Sequence, residues 1–183
     1  MRVEPGALDG VLLFIPSPHR DDRGLFTRTF DADVARQAGL TPEDFIQDSQ
    51  SRSRRGVIRG LHGRAGRGEA KLVRCARGAL YDVLVDARPD SPTFGKTMAV
   101  TLDDESFVTL YVPPGLLHGF QALTDPADTC YRIDRAHDPA EDLAVRYDDP
   151  DLGVAWPLPA AGISERDLAA GSWAELRRRL GAG

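Results

Sequence analysis

The chain has few of the patterns that most often announce a metal centre, a redox site, a membrane span or a nucleotide-binding loop. Its 183 residues include two cysteines, Cys75 and Cys130, far apart and without Cys-x-x-Cys spacing. A disulfide or a zinc site is therefore not expected, and both are read as buried, reduced thiols. No apolar run is long enough to cross a bilayer, which argues against a membrane protein. The chain starts with an acidic, Pro- and Gly-containing stretch where a signal peptide would be basic and then apolar, so a cytoplasmic location is the expectation. A formal net charge of -5 argues against a general nucleic-acid-binding surface, although Arg52-Ser53-Arg54-Arg55 has the chemistry to meet a phosphate, or to form a solvated turn.

Catalytic motifs of several common classes are also missing. There is no Gly-x-Ser-x-Gly nucleophile elbow, no Gly-x-Gly-x-x-Gly after a strand, and neither cysteine has an adjacent base. A metal site of the cupin kind draws on a closely spaced pair of histidines with a carboxylate, and no His-x-His occurs. His19 and His137 stand in loop-like sequence without ligand spacing. No metal is expected from these patterns. The run from Gly63 to Gly68 is glycine-rich, but no long helix follows it to hold a phosphate, and a mobile hairpin loop explains it equally well.

What is present reads as β structure. With 42% hydrophobic residues the chain can bury a full core, and one domain over residues 1–183 is expected. Gly10 to Ile15 reads as a strand entering a loop, and Phe26, Arg28 and Phe30 alternate with threonines as in a strand with one aromatic face. Asp31 to Ala38 opens on carboxylates and stops at Gly39, a short helix. Strand-length apolar segments then recur at 71–76, 79–87, 96–102, 107–112 and 119–123, separated by turns such as Arg77-Gly78 and Pro113-Pro114-Gly115. This spacing without helices between predicts a sandwich or barrel with its core at about 45–131. A C-terminal appendix of loop and helix is expected over about 150–183, with Ser172 capping an amphipathic helix to Leu180.

The richest stretch is Arg55-Gly56-Val57-Ile58-Arg59-Gly60-Leu61-His62, continued by Lys71-Leu72-Val73-Arg74. It puts one histidine among fixed cations, and a neighbouring cation disfavours imidazolium, leaving a ring able to accept a proton near pH 7. A hydrogen-bonded structural histidine is the alternative. His118, after Pro113-Pro114-Gly115 and before Gly119-Phe120, sits at a strand start, where it either lines a cavity or orients backbone.

The stretches Asp22-Arg23-Gly24, Gly56 to His62, Lys71 to Arg74, Asp86-x-Arg88 with Ser91 to Gly95, Pro113-x-Gly115 with His118-Gly119-Phe120, Tyr131, Trp156-Pro157 and Ser164-x-Arg166-Asp167 occur in this order. Together they resemble the dTDP-4-dehydrorhamnose 3,5-epimerase family over nearly the whole chain. The resemblance implies a mainly β, cupin-like jelly-roll with short flanking helices, a homodimer, and a nucleotide-linked 4-keto-6-deoxyhexose as substrate, worked on without metal or organic cofactor. It also implies roles: His62 as the base beside the ketone, Asp167 orienting it, and Tyr131 returning a proton from the opposite face. Arg59 and Lys71 supply positive charge at the ketone oxygen, and Arg23, Phe26, Arg28, Gln47, His118 and Arg166 are placed around the substrate. A metal-dependent cupin enzyme and a non-catalytic sugar-nucleotide binder are the alternatives from other functional classes.

The chain departs from the family pattern at four places. Gly63 and Arg64 follow the motif histidine where an aromatic residue and a glutamine are usual, and the loop to Lys71 is shorter and richer in arginine. Ser49 replaces an asparagine, and Arg28 stands where a glutamate is common. A guanidinium has no acceptor for the imide N–H of thymine, so recognition of the base or of the diphosphate is expected to differ.

Overall fold

Two antiparallel sheets carry the structure, a computed structural model that describes residues 1–181. The N-terminal third supplies β1 (Arg2–Pro5), β2 (Leu12–Ile15), a hairpin of β3 (His19–Asp21) and β4 (Gly24–Phe26), the helix α1 (Ala32–Gln37) and β5 (Gln47–Ser53). Then come β6 (Ile58–Arg64), β7 (Lys71–Arg77), β8 (Ala79–Asp86), β9 (Thr97–Asp103), β10 (Thr109–Val112), β11 (Leu116–Ala122) and β12 (Ala127–Ile133). The chain ends with β13 (Asp142–Ala144), α2 (Glu165–Leu168) and α3 (Trp173–Arg179). One sheet has the order β1-β2-β10-β7-β12-β5 and the other β13-β6-β11-β8-β9. This is the mainly β, cupin-like jelly-roll expected, with short flanking helices. Its sheets reach beyond 45–131, since β1 and β2 complete one and β13 extends the other.

Between the sheets lies a core of Val73, Cys75, Leu80, Leu84, Leu102, Leu110, Leu116 and Phe120, each side chain worth about 1.5–3 kcal/mol on burial. The outer faces are covered too. Leu61, Val83, Val85 and Leu117 pack under Trp173 and Leu176 of α3, while Phe14 and Leu72 meet Ala35 of α1. Double coverage explains why β8 and β11 read as nearly continuous apolar runs with no alternation. Both expected helices form: Asp31 caps α1 by accepting from the Asp33 and Val34 amides, and Ser172 with Glu175 makes a capping box on α3.

Two expectations are corrected. The alternation from Phe26 to Phe30 is not a strand, because β4 ends at Phe26 and the chain turns into the Asp31 cap. Cys130 is half-buried, whereas Cys75 is buried, and both are free thiols.

Asp86, at the end of β8, is fully buried and accepts hydrogen bonds from the Arg88 amide and guanidinium, Ser91 Oγ and Thr93 Oγ1 at 2.6–3.0 Å. Burial alone would raise its pKa, but these donors outweigh it and hold the carboxyl at about 2. Because the folded value lies below the ordinary ~3.9, the stabilisation is full above pH ~4 and is lost as pH falls through about 2. Asp86→Asn should cost about 2–3 kcal/mol at pH 7. Urea unfolding from pH 7 to pH 2 should show the variant's deficit shrinking toward the acid end; a deficit independent of pH would refute the account.

Candidate active site

An open cavity of about 590 Å³ lies between the sheets. The six-stranded sheet contributes Ser49 and Ser51 of β5, Lys71 of β7, and Tyr131 and Ile133 of β12. The five-stranded sheet contributes Arg59 and His62 of β6 with His118 and Phe120 of β11, and the segment from Gly162 to Asp167 closes one side.

The two histidines are set by the backbone. His62 and His118 are direct cross-strand partners, and the ladder slips between His118 and Phe120. There β6 and β11 approach so closely that a Cβ on Gly60, whose φ is +128°, would lie 2.5 Å from Gly119 Cα. Only glycine fits that position, in both space and backbone angle. Gly60 therefore serves the two residues beyond it by letting the strands touch.

His62 Nε2 stands 2.6 Å from Asp167 Oδ1, and Asp167 Oδ2 accepts from the Gly60 amide at 3.3 Å. A carboxylate only accepts, so Nε2 carries the proton and Nδ1 is left as the acceptor of the ring. Asp167 is itself held in α2, where Ser164 Oγ accepts from its amide. Burial is the main force lowering the His62 pKa, Asp167 opposes it, and the charges of Arg166 and Lys71 add to the lowering. The histidine thus rests neutral near pH 7. The sequence points to Arg59 and Lys71 for this role, and Lys71 fills it together with Arg166. Arg59 lines the same cavity, but its guanidinium donates to Ser53 Oγ at 3.1 Å and to the Arg52 carbonyl at 3.4 Å.

On the other sheet Tyr131 is buried enough that its phenol is pushed up to about 12, against a counteracting hydrogen bond with Ser51. Its hydroxyl lies 3.4 Å from Ser51 Oγ, and its ring meets His118 edge-on, centroids 6.2 Å apart. His118 is no mere backbone prop. It lines the cavity and its Nε2 is 2.9 Å from Asp82 Oδ2, both side chains buried. Among the described residues no group of three or more His, Cys, Asp or Glu side chains is placed to share an ion.

Seven of the expected residues therefore line one cavity: His62, Tyr131, Asp167, Lys71, Arg59, His118 and Arg166. Four lie elsewhere. Arg23 and Phe26 sit on the β3–β4 hairpin, where Arg23 pairs with Asp21 at 2.6 Å and Phe26 is 69% exposed. Arg28 pairs with Asp31 at 2.7 Å, in a groove with Met1 and Val34. Gln47 begins β5, one alternation beyond Ser49. Arg52 is committed to Asp128 at 2.6 Å, and Ser53 is buried, so the basic cluster is a strand end.

Sequence reasoning passed over Asp82, Glu69 and Asp142. Asp82 had a signal, a lone carboxylate inside the apolar run of β8. Glu69 and Asp142 gave none, since their roles depend on Arg64 reaching across from β6. The Gly63–Gly68 stretch is not a loose loop either: Arg67 pairs with Asp134 at 2.9 Å, and Arg135 donates to Gly68 O at 3.1 Å.

Comparison with known proteins points the same way. The family model for dTDP-4-dehydrorhamnose 3,5-epimerase matches residues 5–175. A dTDP-4-dehydrorhamnose 3,5-epimerase of Methanothermobacter thermautotrophicus is 39% identical over 174 residues, 93% of this chain and 92% of the relative. Among solved structures, a 4-keto-6-deoxy sugar epimerase from the novobiocin cluster of Streptomyces spheroides is 38% identical with a TM-score of 0.93, covering 100% of this chain and 92% of that one. A 3'-monoepimerase of Streptomyces bikiniensis in complex with dTDP-quinovose is 37% identical with a TM-score of 0.89, covering 97% of this chain and 90% of that one. The cavity, its His62–Asp167 pair and this breadth of similarity together make the chain a member of the dTDP-4-dehydrorhamnose 3,5-epimerase family.

Proposed function

We propose that the protein epimerises a dTDP-linked 4-keto-6-deoxyhexose at carbon 3, carbon 5 or both, without a metal or organic cofactor. The observation that carries this reading is that His62 and Tyr131 face one cavity from different sheets. A base and an acid on opposite sides of a sugar ring are what inversion requires.

The hydrogen beside a ketone is acidic because the electron pair left behind delocalises onto the carbonyl oxygen. His62 Nδ1 removes that proton, the C–H bond breaks, and an enolate forms with its charge on oxygen. Lys71, with Arg59 and His118, stabilises that oxygen, and Arg166 lies beside the base. The Tyr131 hydroxyl then delivers a proton to the other face of the same carbon, and the enolate pair becomes the new C–H bond. Solvent returns the proton to the phenolate and takes the one held by the imidazolium. Asp167 fixes the tautomer and stabilises the imidazolium while it exists.

The nucleotide end of the substrate is assigned to Arg23, Phe26, Arg28 and Gln47, which lie outside the cavity of their own chain. The hairpin's exposed Leu25 and Phe26 suit cover by a second copy in a homodimer. The catalytic unit is the single domain of the whole chain, since β1 and β2 complete one sheet and Asp167 of α2 completes the dyad. No helix among the described residues is long and apolar enough to cross a membrane.

Incubation with dTDP-4-keto-6-deoxyglucose in deuterated water tests the proposal. NMR should locate label at one or both carbons flanking the ketone, undiminished by a chelator. Exchange lost to the chelator and restored by a divalent metal would make it a metal-dependent enzyme; binding without exchange would make it a binder.

A further inference from the structure

Arg64 ends β6, two residues past His62, and its side chain is only 8% exposed. Its Nε donates to Glu69 Oε2 at 3.0 Å, while Nη1 reaches Asp142 Oδ1 and the Asp138 carbonyl, and Nη2 meets His137 Nδ1. The two carboxylates are not endpoints. Glu69 Oε1 holds Lys71 Nζ at 2.9 Å, and Asp142 Oδ2 holds Arg166 Nη2 at 2.5 Å. Lys71 and Arg166 are two cations of the cavity that contains His62, carried by different elements.

We propose that Arg64 is a positioning residue that fixes Lys71 and Arg166 in the cavity, through Glu69 and Asp142, and so sets the field in which His62 works. The proposal rests on the epimerase reading for its kinetic arm only.

Three features favour it. A guanidinium is a planar fork that bonds two carboxylates at once, which an ammonium or a carboxamide at this site does not. The anchoring is rigid, because Arg64 and Asp142 are cross-strand partners on β6 and β13, with the Ala65 amide bonded to Glu141 O at 2.8 Å. The charges also alternate. Arg64, Glu69, Lys71, Asp142 and Arg166 sum to one positive charge, and without Arg64 they sum to none. Glu69 and Asp142 would then draw Lys71 and Arg166 onto themselves and away from the substrate. The other groups facing His62 are Asp167 on α2, His118 on β11, Tyr131 on β12 and Arg59 on its own strand.

The sign of the effect follows. With Arg64→Gln the imidazolium is less opposed, so the His62 titration midpoint should rise by about half a pH unit. kcat/KM should fall by about tenfold as the cations lose their geometry. The midpoint is read by NMR on the free protein, with the four histidines assigned by single replacement. A midpoint within error of the parent protein, or an unchanged kcat/KM, overturns the proposal, whatever happens to the melting temperature. Arg64→Lys restores the charge but spans one carboxylate, so its midpoint should match the parent while kcat/KM stays lowered; full activity there also overturns it. Should Arg64→Gln not fold, Arg64→Lys decides alone. If the parent protein epimerises nothing, the functional reading fails, while the midpoint still reports whether Arg64 sets the field at His62.

Discussion

His62→Ala is expected to lower solvent deuterium incorporation into the 4-keto sugar by 10³-fold or more, with binding of dTDP nearly unchanged. The size follows from the role. A positioned general base contributes about 10²–10⁴-fold, and the cavity's other imidazole, His118, is bonded to Asp82 and only 5% exposed against 34% for His62. Asp167→Asn should cost somewhat less, about 10²–10³-fold, because an amide no longer selects the Nε2–H tautomer or stabilises the imidazolium. The pH profile of kcat/KM adds a check that the packing of the ring alone does not satisfy. Burial, with Arg166 and Lys71, lowers the His62 pKa beneath its ordinary 6.5. The acid limb should therefore fall below that pH, where the base becomes protonated, and should be missing from the residual activity of the alanine variant. Deuterium exchange in His62→Ala within tenfold of the parent protein would remove the histidine from the mechanism.

The parts of this fold legible in the sequence are those decided locally. Asp31 and Gly39 bracket α1, Ser172 starts α3, and the apolar strands of the core appear because their composition is strand-like on any face. What escapes is decided by neighbours. β5 is Gln-Asp-Ser-Gln-Ser-Arg-Ser, with no apolar signal at all, because it is the edge of its sheet and faces a polar cavity on one side. The site divides in the same way. The histidine of the Gly60-Leu61-His62 motif stands out, yet its partner lies 105 residues on, a distance that only folding closes. Arg59 shows the opposite error: adjacency in sequence suggests contact with the imidazole, whereas its guanidinium is taken up by Ser53 and the Arg52 carbonyl on β5. Arg64 is visible as a departure, but its purpose depends on Glu69 and Asp142 arriving from the turn before β7 and from β13, respectively.

Tyr131→Phe should separate two events that the intact protein performs together: exchange of the carbon-bound hydrogen within tenfold of the parent rate, and inversion slowed by 10²-fold or more. The substitution is a clean one. The ring stays against His118, and the hydrogen bond lost to Ser51 is long at 3.4 Å, so stability should change by less than about 1 kcal/mol. Proton removal depends on His62 and on the cations at the ketone oxygen, none of which the phenol supplies. Once the enolate exists, it needs a donor on its far face to invert. With that donor gone, the only proton within reach is the one on the imidazolium, which returns to the side it came from. In deuterated water that proton is replaced by solvent deuterium, so the sugar should gain label while keeping its original configuration. The phenol's pKa of about 12 matters here, since it keeps Tyr131 protonated and able to act as the donor across the neutral range. Labelled, uninverted substrate is therefore the expected product of the variant. Exchange and inversion falling by the same factor would mean that the tyrosine also takes part in proton removal, and the assignment of one face to each residue would be wrong.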